Sequence, residues 1–150
     1  MARRTLGEVF AQVAKKVKHA DKIAVLRENQ GQPLFYVLRL AYNEIPWGIP
    51  EGAPPYTPHR GRPGSAGTDL IAELRRMYVF FNGIENLTKL KREKLFQDVL
   101  ESLDAADVEV LIAVKDRTLE KVFRLPRKVV EETFPGLLNP PFDLKFGKHK

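Results

Sequence analysis

The chain has 150 residues, which is enough for one domain with its own hydrophobic core. It contains no cysteine, so disulfides and thiolate metal sites are excluded, and no apolar run approaches the roughly 18 residues of a membrane-spanning helix. The formal net charge is +6, which favours an anionic partner, most commonly nucleic acid. The N-terminal sequence MARRTLGEVF lacks the apolar region of a secretory signal.

Two helices are predicted at the start of the chain. Thr5 and Glu8 have the spacing of a capping box, in which each side chain bonds the backbone N–H of the other. Apolar residues at helical spacing then predict a helix over 6–18, with Val17 on the same face as Val13. Asp21 is predicted to cap a short second helix that runs to about residue 28.

A third helix begins at Pro33, since proline suits a first turn where its missing N–H has no partner. Its residues are apolar nearly all round, which predicts a central, buried helix. Residues 43–67 then hold six prolines and five glycines in 25 residues, so we expect a long loop without regular structure. Either Trp47 and Tyr56 fix this loop onto the helices, or it is a mobile basic arm whose Arg60 and Arg62 meet phosphate.

The second half of the chain predicts four more helices. They begin near Asp69, at Thr88, at Asp104 and at Pro126, and the second of them is expected to bury Leu95. Five acids and no base lie between residues 98 and 109; we interpret them as local helix chemistry, because negative charge is favoured in a first turn. The prediction is an all-α bundle of about six or seven helices over residues 1–140, followed by a basic, extended tail over 141–150.

No pattern of catalytic residues is present. The chain lacks the glycine-rich phosphate-binding motifs GxGxxG and GxxxxGK[ST], and its three histidines are scattered without ligand-like spacing. Paired acids such as Asp104 and Asp107 are better explained by helix capping than by acid–base catalysis. We therefore expect no enzymatic activity, no cofactor and no metal.

Two stretches resemble the N-terminal DNA-binding domain of bacteriophage-type ATP-dependent DNA ligases. They are KHADKIAVLRENQGQPLFYVLRLAYN, residues 18–43, and DVEVLIAVKDRTLEKVFRLPRKVVEETFPGLLNP, residues 107–140. Arg117 and Leu119 match an R-D-L segment of those domains, with Thr118 in place of the aspartate, and Pro135 and Gly136 match their P-G-L turn. Nothing resembles the K-x-D-G motif of the ligase nucleotidyltransferase domain.

The resemblance implies a helical domain that holds duplex DNA by its backbone and minor groove, without the enzyme. The whole chain is also similar to small proteins of large tailed phages, including cyanobacterial ones, which implies a phage product in the cytoplasm of the infected host cell. The expected function is largely sequence-independent duplex DNA binding in support of replication, repair or packaging. The alternative is a module that binds a host or phage protein, for instance in replication or transcription, or a minor virion component.

Charge is distributed as this function requires. Residues 1–22 carry six bases against two acids, and residues 115–150 carry nine against five. Clusters of this kind bind phosphate, and we expect the two ends to meet on one face while the acidic helix lies away from DNA. The candidate DNA contacts are Lys15, Lys16, Lys18, Lys22, Arg60, Arg62, Arg117, Lys121, Arg124, Arg127 and Lys128.

Overall fold

The computed structural model describes residues 5–59, 67–82 and 87–138. Regular structure in these residues is helical, apart from one isolated bridge between Trp47 and Phe81. The helices are α1 (Leu6–Lys15), α2 (His19–Glu28), α3 (Gln32–Tyr42), α4 (Leu70–Glu73), α5 (Lys89–Glu101), α6 (Ala105–Lys115), α7 (Leu119–Phe123) and α8 (Arg127–Thr133). A 3₁₀ helix, Leu74–Phe80, continues directly from α4. The predicted all-α fold is confirmed.

Most helix starts follow the signals in the sequence. The Thr5 N–H donates to Glu8 at 2.8 Å and the Glu8 N–H donates to the Thr5 hydroxyl at 3.1 Å, which completes the capping box. Thr88 accepts from an N–H in the first turn of α5, and Pro33 lies in the first turn of α3. These local bonds satisfy N–H groups that have no partner inside a helix, so the sequence alone locates them.

The boundary between α1 and α2 differs from the prediction. α1 ends at Lys15 rather than residue 18, and α2 begins at His19 with Lys18, not Asp21, at its N-cap. The last turn of α1 is closed by the carbonyl of Val13, which accepts from the Lys16 N–H at 3.1 Å. The same carbonyl accepts from the ammonium of Lys22 at 3.1 Å. A side chain of α2 therefore satisfies a carbonyl at the end of α1 that another helical turn would otherwise satisfy.

The core surrounds α3 and α6. On α3, Leu34, Val37, Leu38 and Leu40 are each at most 1% exposed, which confirms that this helix is central. α6 packs against α1 and α3. Helix α1 crosses α6 at Gly7, where a Cβ atom would lie 2.5 Å from the Ala106 carbonyl carbon, so the two backbones are in direct contact.

Asp107 connects the first turns of three helices. It lies in the first turn of α6 and is 1% exposed. Its Oδ1 accepts from the Gly7 N–H of α1 at 2.7 Å, and its Oδ2 accepts from the Leu70 N–H of α4 at 3.0 Å. Asp107 does lie in the first turn of its own helix, as interpreted from the sequence, but that interpretation was incomplete, since its carboxylate also caps two other helices.

The proline-rich loop is ordered over residues 43–59. The Gly48 N–H donates to Phe80 at 2.7 Å, the Asn82 N–H donates to Pro46 at 2.7 Å, and the Trp47 ring packs edge-on against Phe81. Tyr56 is partly buried against the core. The interpretation of a loop fixed by Trp47 and Tyr56 is confirmed for these residues, whereas Arg60 and Arg62 lie outside the described residues, as does the tail over 141–150.

Acidic side chains of α5 and α6 hold this loop in place. Glu101 accepts from the Thr57 N–H at 2.9 Å, and Asp116 accepts from the Gly52 N–H at 3.0 Å. Buried Lys115 bonds Asp116 and also donates to the carbonyl of Pro50 at 2.7 Å. Glu101 and Asp116 therefore accept hydrogen bonds from backbone N–H groups of the loop, which would otherwise need other partners.

Two further predictions about helices were incomplete. α7 was not predicted, because five residues are too few for helical periodicity to show; it forms because Leu119 and Phe123 bury one face. Leu95 was expected to be buried but is 39% exposed at the surface of α5. The Phe96 ring of α5 packs against the Phe80 ring at a centroid distance of 5.2 Å, while Leu95 lies in an open groove beside the Leu74–Phe80 segment.

Candidate nucleic-acid interface

Lys22 is not at the surface, which corrects its prediction as a phosphate contact. It is 4% exposed, and its ammonium donates to the Val13 carbonyl at the end of α1. Burial lowers the pKa of Lys22, and the positive charge of Arg124 lowers it further. Lys22 therefore acts as a structural link between α1 and α2.

The described parts of the two basic clusters lie on helices that pack together. Arg124 ends α7, about a hundred residues along the chain from Lys22. α1 packs against both α2 and α7, and the Phe10 ring of α1 contacts the Phe123 ring of α7 at a centroid distance of 5.7 Å. α2 in turn packs against α8. The fold thus brings together the four helices that carry or adjoin the predicted basic residues.

We name the meeting point the basic junction. It consists of the end of α1, the start of α2 and the end of α7. Within it Lys16 is half-buried and the other cations are exposed; two exposed acids, Asp21 and Glu120, lie on the same helices. The members of the basic junction are Lys15, Lys16, Lys18, Lys121 and Arg124.

Two arginines beside α7 have an unusual backbone. Arg117 follows α6 with φ 61°, and Arg124 ends α7 with φ 54°, and both side chains are exposed. The left-handed conformation is disfavoured for residues with a Cβ by about 1–2 kcal/mol, and helices that end this way usually have glycine there. Arginine at both positions is not explained by backbone preference, so the guanidinium groups themselves are candidates for function.

The remaining predicted contacts have different environments. Arg127 donates to the Tyr42 carbonyl at the end of α3 at 2.7 Å and pairs with Glu131 at 3.0 Å, so its guanidinium holds α3 to α8. Lys128 is exposed on α8. Arg60 and Arg62 fall outside the described part of the chain. Of the eleven predicted residues, five belong to the basic junction, and a sixth, Arg117, is exposed on the turn before α7.

Some exposed features were missed from the sequence. Lys89 and Lys91 lie in the first turn of α5, which holds no acid, although the run KLKREK signals them. Val17 was placed on the apolar face of a longer α1, but it is 89% exposed in the linker to α2. Three of the four nearest neighbours of Val17 in the sequence are lysines: Lys15, Lys16 and Lys18. This pattern indicates that the position faces water.

Among residues 5–59, 67–82 and 87–138, no group of three or more histidine, aspartate or glutamate side chains could hold a metal ion. The helices in these ranges are too short or too polar to cross a bilayer.

Comparison with known proteins identifies a family. A family model matches residues 9–121, which are 113 of the 150 residues, and its description is a family of unknown function, DUF6433. No curated protein and no solved structure matches the chain. The matched region runs from α1 into α7 and so includes the basic junction except for Arg124. The chain belongs to the DUF6433 family.

Proposed function

We propose that this protein binds duplex DNA through the basic junction, without enzymatic activity and with little dependence on base sequence. The observation that carries the proposal is the packing of α1 against both α2 and α7, which places basic residues of the two clusters on neighbouring helices. Cations that are distant in sequence and adjacent in the fold can contact neighbouring phosphates together. The resemblance to ligase DNA-binding domains supports the same function and suggests a role in phage replication, repair or packaging inside the infected host cell.

The chemistry of the basic junction suits backbone contacts. Four of its five members are lysines, which are flexible point charges and lack the planar fork that reads guanine edges. Phosphate contacts position a protein on DNA but carry no sequence information. If all five cations meet phosphates, the logarithm of the binding constant should fall with the logarithm of salt concentration with a slope of about −4.5.

A second candidate function is binding of a host or phage protein, which a groove favours. The groove has a volume of about 290 Å³ and lies between the 3₁₀ helix and α5, with Val79, Phe80, Leu95 and Val99 among its lining residues. The exposed side of Leu95 makes part of it apolar. A pull-down from infected cells, with and without nuclease, distinguishes direct protein partners from partners held through DNA.

Replacing Arg124 by glycine tests DNA binding without disturbing the fold. Glycine adopts φ 54° without strain, which should stabilise the folded state by about 1 kcal/mol. Glycine also loses more conformational entropy on folding than arginine does, and this cost roughly cancels the stabilisation. The melting temperature should therefore stay within a few degrees of the wild type. Loss of one phosphate contact should weaken binding to a labelled 30-base-pair duplex by about tenfold and reduce the salt slope by about one.

The matched control is Arg75→Ala, which removes an exposed arginine from the 3₁₀ helix, away from the basic junction. It changes the net charge equally and should leave affinity within about twofold. Equal losses in the two variants would mean that only overall charge matters. No binding of the wild-type protein at low salt and micromolar concentration would exclude DNA as the main partner.

A further inference from the structure

Val17 is an apolar side chain exposed to water at the basic junction. It is 89% exposed, the highest value among the exposed large hydrophobic residues of the described chain, and Lys16 and Lys18 are its neighbours. A single exposed apolar residue is common on proteins and needs no explanation by itself. Its position matters here, because it projects from the same short linker that contributes cations to the proposed DNA-binding surface.

The linker that carries Val17 is held at both ends. On one side the Lys16 N–H donates to Val13, and on the other the Lys18 carbonyl accepts from the Asp21 N–H at 3.1 Å. Lys16 and Lys18 both have extended backbones, with ψ 139° and 141°. Across the linker, the Lys22 ammonium bonds the Val13 carbonyl and ties the two helices together.

These bonds hold the Val17 side chain in a fixed, exposed position. A three-residue linker between fixed helix ends has little freedom to fold the side chain back onto the protein. Valine itself is stiff, since its branched Cβ restricts χ1. Presenting the side chain to a partner therefore requires little further ordering, and such preorganisation favours binding.

The charge around Val17 selects the partner. Lysine is depleted in the cores of protein interfaces, and valine is under-represented among their energetic hot spots. A bilayer surface would need a broader apolar face than one side chain. Duplex DNA fits both features, because minor-groove proteins contact phosphates with cations and insert an apolar side chain between adjacent base pairs.

We infer that Val17 is a wedge that enters the minor groove, partly unstacks one base step and bends the duplex. This inference rests on the proposed DNA binding and adds a further activity, distortion of DNA. Unstacking is easier where the stack is already interrupted. The protein should therefore prefer a nicked duplex to an intact one, and Val17 should be the source of that preference.

Val17→Ser tests the wedge in the full-length protein. The variant should keep the wild-type melting temperature, because the side chain touches little of the fold. Binding to an intact 30-base-pair duplex should weaken by about tenfold, as expected for the loss of one buried apolar side chain. The salt slope should not change. Binding of the wild type should bend the duplex and so increase energy transfer between dyes at its two ends, and binding of the variant should not produce this increase.

Two other variants separate the wedge from charge and from apolar exposure in general. Lys18→Gln should reduce the salt slope by about one and keep the bend. Leu90→Ser is the matched control, because Leu90 is 79% exposed between two lysines on α5; it should change neither affinity nor bend.

The outcomes distinguish this inference from the proposed function. If the wild type binds with a steep salt dependence but Val17→Ser binds, bends and prefers nicks as the wild type does, the wedge is wrong and DNA binding stands. If Leu90→Ser loses as much affinity as Val17→Ser, the effect is not specific to the basic junction and the wedge is again wrong. If the wild type binds no DNA, both proposals fail.

Discussion

Replacing Gly7 by alanine is expected to destabilise the protein by about 3 kcal/mol, near the upper end of the cost of overpacking a core. The added Cβ would lie 2.5 Å from the carbonyl carbon of Ala106, 2.6 Å from its Cβ and 2.7 Å from the Asp107 nitrogen. These atoms belong mainly to the backbone of α6, so no side-chain rotation can relieve the clash. α1 and α6 would have to move apart along their whole contact.

Chemical denaturation measures this change, and Gly67→Ala is its control. A Cβ at Gly67 would meet no heavy atom within 4 Å, so that variant should unfold at the wild-type denaturant concentration or slightly above it. A Gly7→Ala variant as stable as the wild type would show that α1 and α6 do not cross as closely as the structure has them.

The second large effect is expected from Asp107→Ala, which should cost about 3–5 kcal/mol. The variant leaves the N–H groups of Gly7 and Leu70 without their carboxylate partner in a buried site. Each unsatisfied buried donor costs about 1–3 kcal/mol, and the cavity adds to this. The loss should appear in equilibrium unfolding, and α1 and α4 should exchange their first amide protons faster.

The neighbouring acid Glu109 provides the matched control. It belongs to the same acidic run and the same helix, but it is exposed. Glu109→Ala should change the stability by less than about 0.5 kcal/mol, as is usual at the surface. Equal losses for the two variants would support the original interpretation of these acids as charges in a first turn, and would contradict the capping role of Asp107.

The pH dependence of stability should also depend on Asp107. Burial raises the pKa of Asp107 above its ordinary value of 3.8, the hydrogen bonds from Leu70 and Gly7 oppose the rise, and the charges of Asp69 and Asp104 add to it. Between 3.8 and the raised pKa the native state holds more protons than the unfolded state, so this group lowers stability as pH increases through that range. Asp107→Asn should remove this part of the fall, measured by unfolding at a series of pH values.

Both core sites bear on the proposed function because they position α1. The end of α1 carries Lys15 and Lys16 and provides the Val13 carbonyl that Lys22 binds. Variants at Gly7 or Asp107 should therefore lose DNA binding together with the fold. Arg124→Gly and Val17→Ser are better tests of function, since each changes the surface and leaves this contact intact.

The sequence predicted those helix caps and helices that depend on residues close together in the chain. The capping box of Thr5 and Glu8, the cap at Thr88 and the buried periodicity of α3 all depend on residues a few positions apart. Such bonds form wherever the segment is helical, so the sequence located these helix starts and the all-α fold class. A loop held by Trp47 and Tyr56 was one of two alternatives that the sequence left open, since large aromatic side chains gain most from burial. The structure shows this alternative for residues 43–59.

Long-range contacts decided the rest, since the energy of a side chain depends on neighbours that the sequence does not place beside it. Asp107 and Glu109 have the same local pattern of helix and charge, yet one is buried and caps two distant helices while the other faces solvent. Lys22 and Lys18 differ in the same way: the Lys22 ammonium donates to a carbonyl at the end of α1, whereas Lys18 is exposed. The sequence by itself determined that the chain is helical, basic at its ends and without a recognisable catalytic motif. Only the packing of α1 against α2 and α7 decided that basic residues from the two ends of the chain lie on neighbouring helices, because helix contacts bring together residues a hundred positions apart.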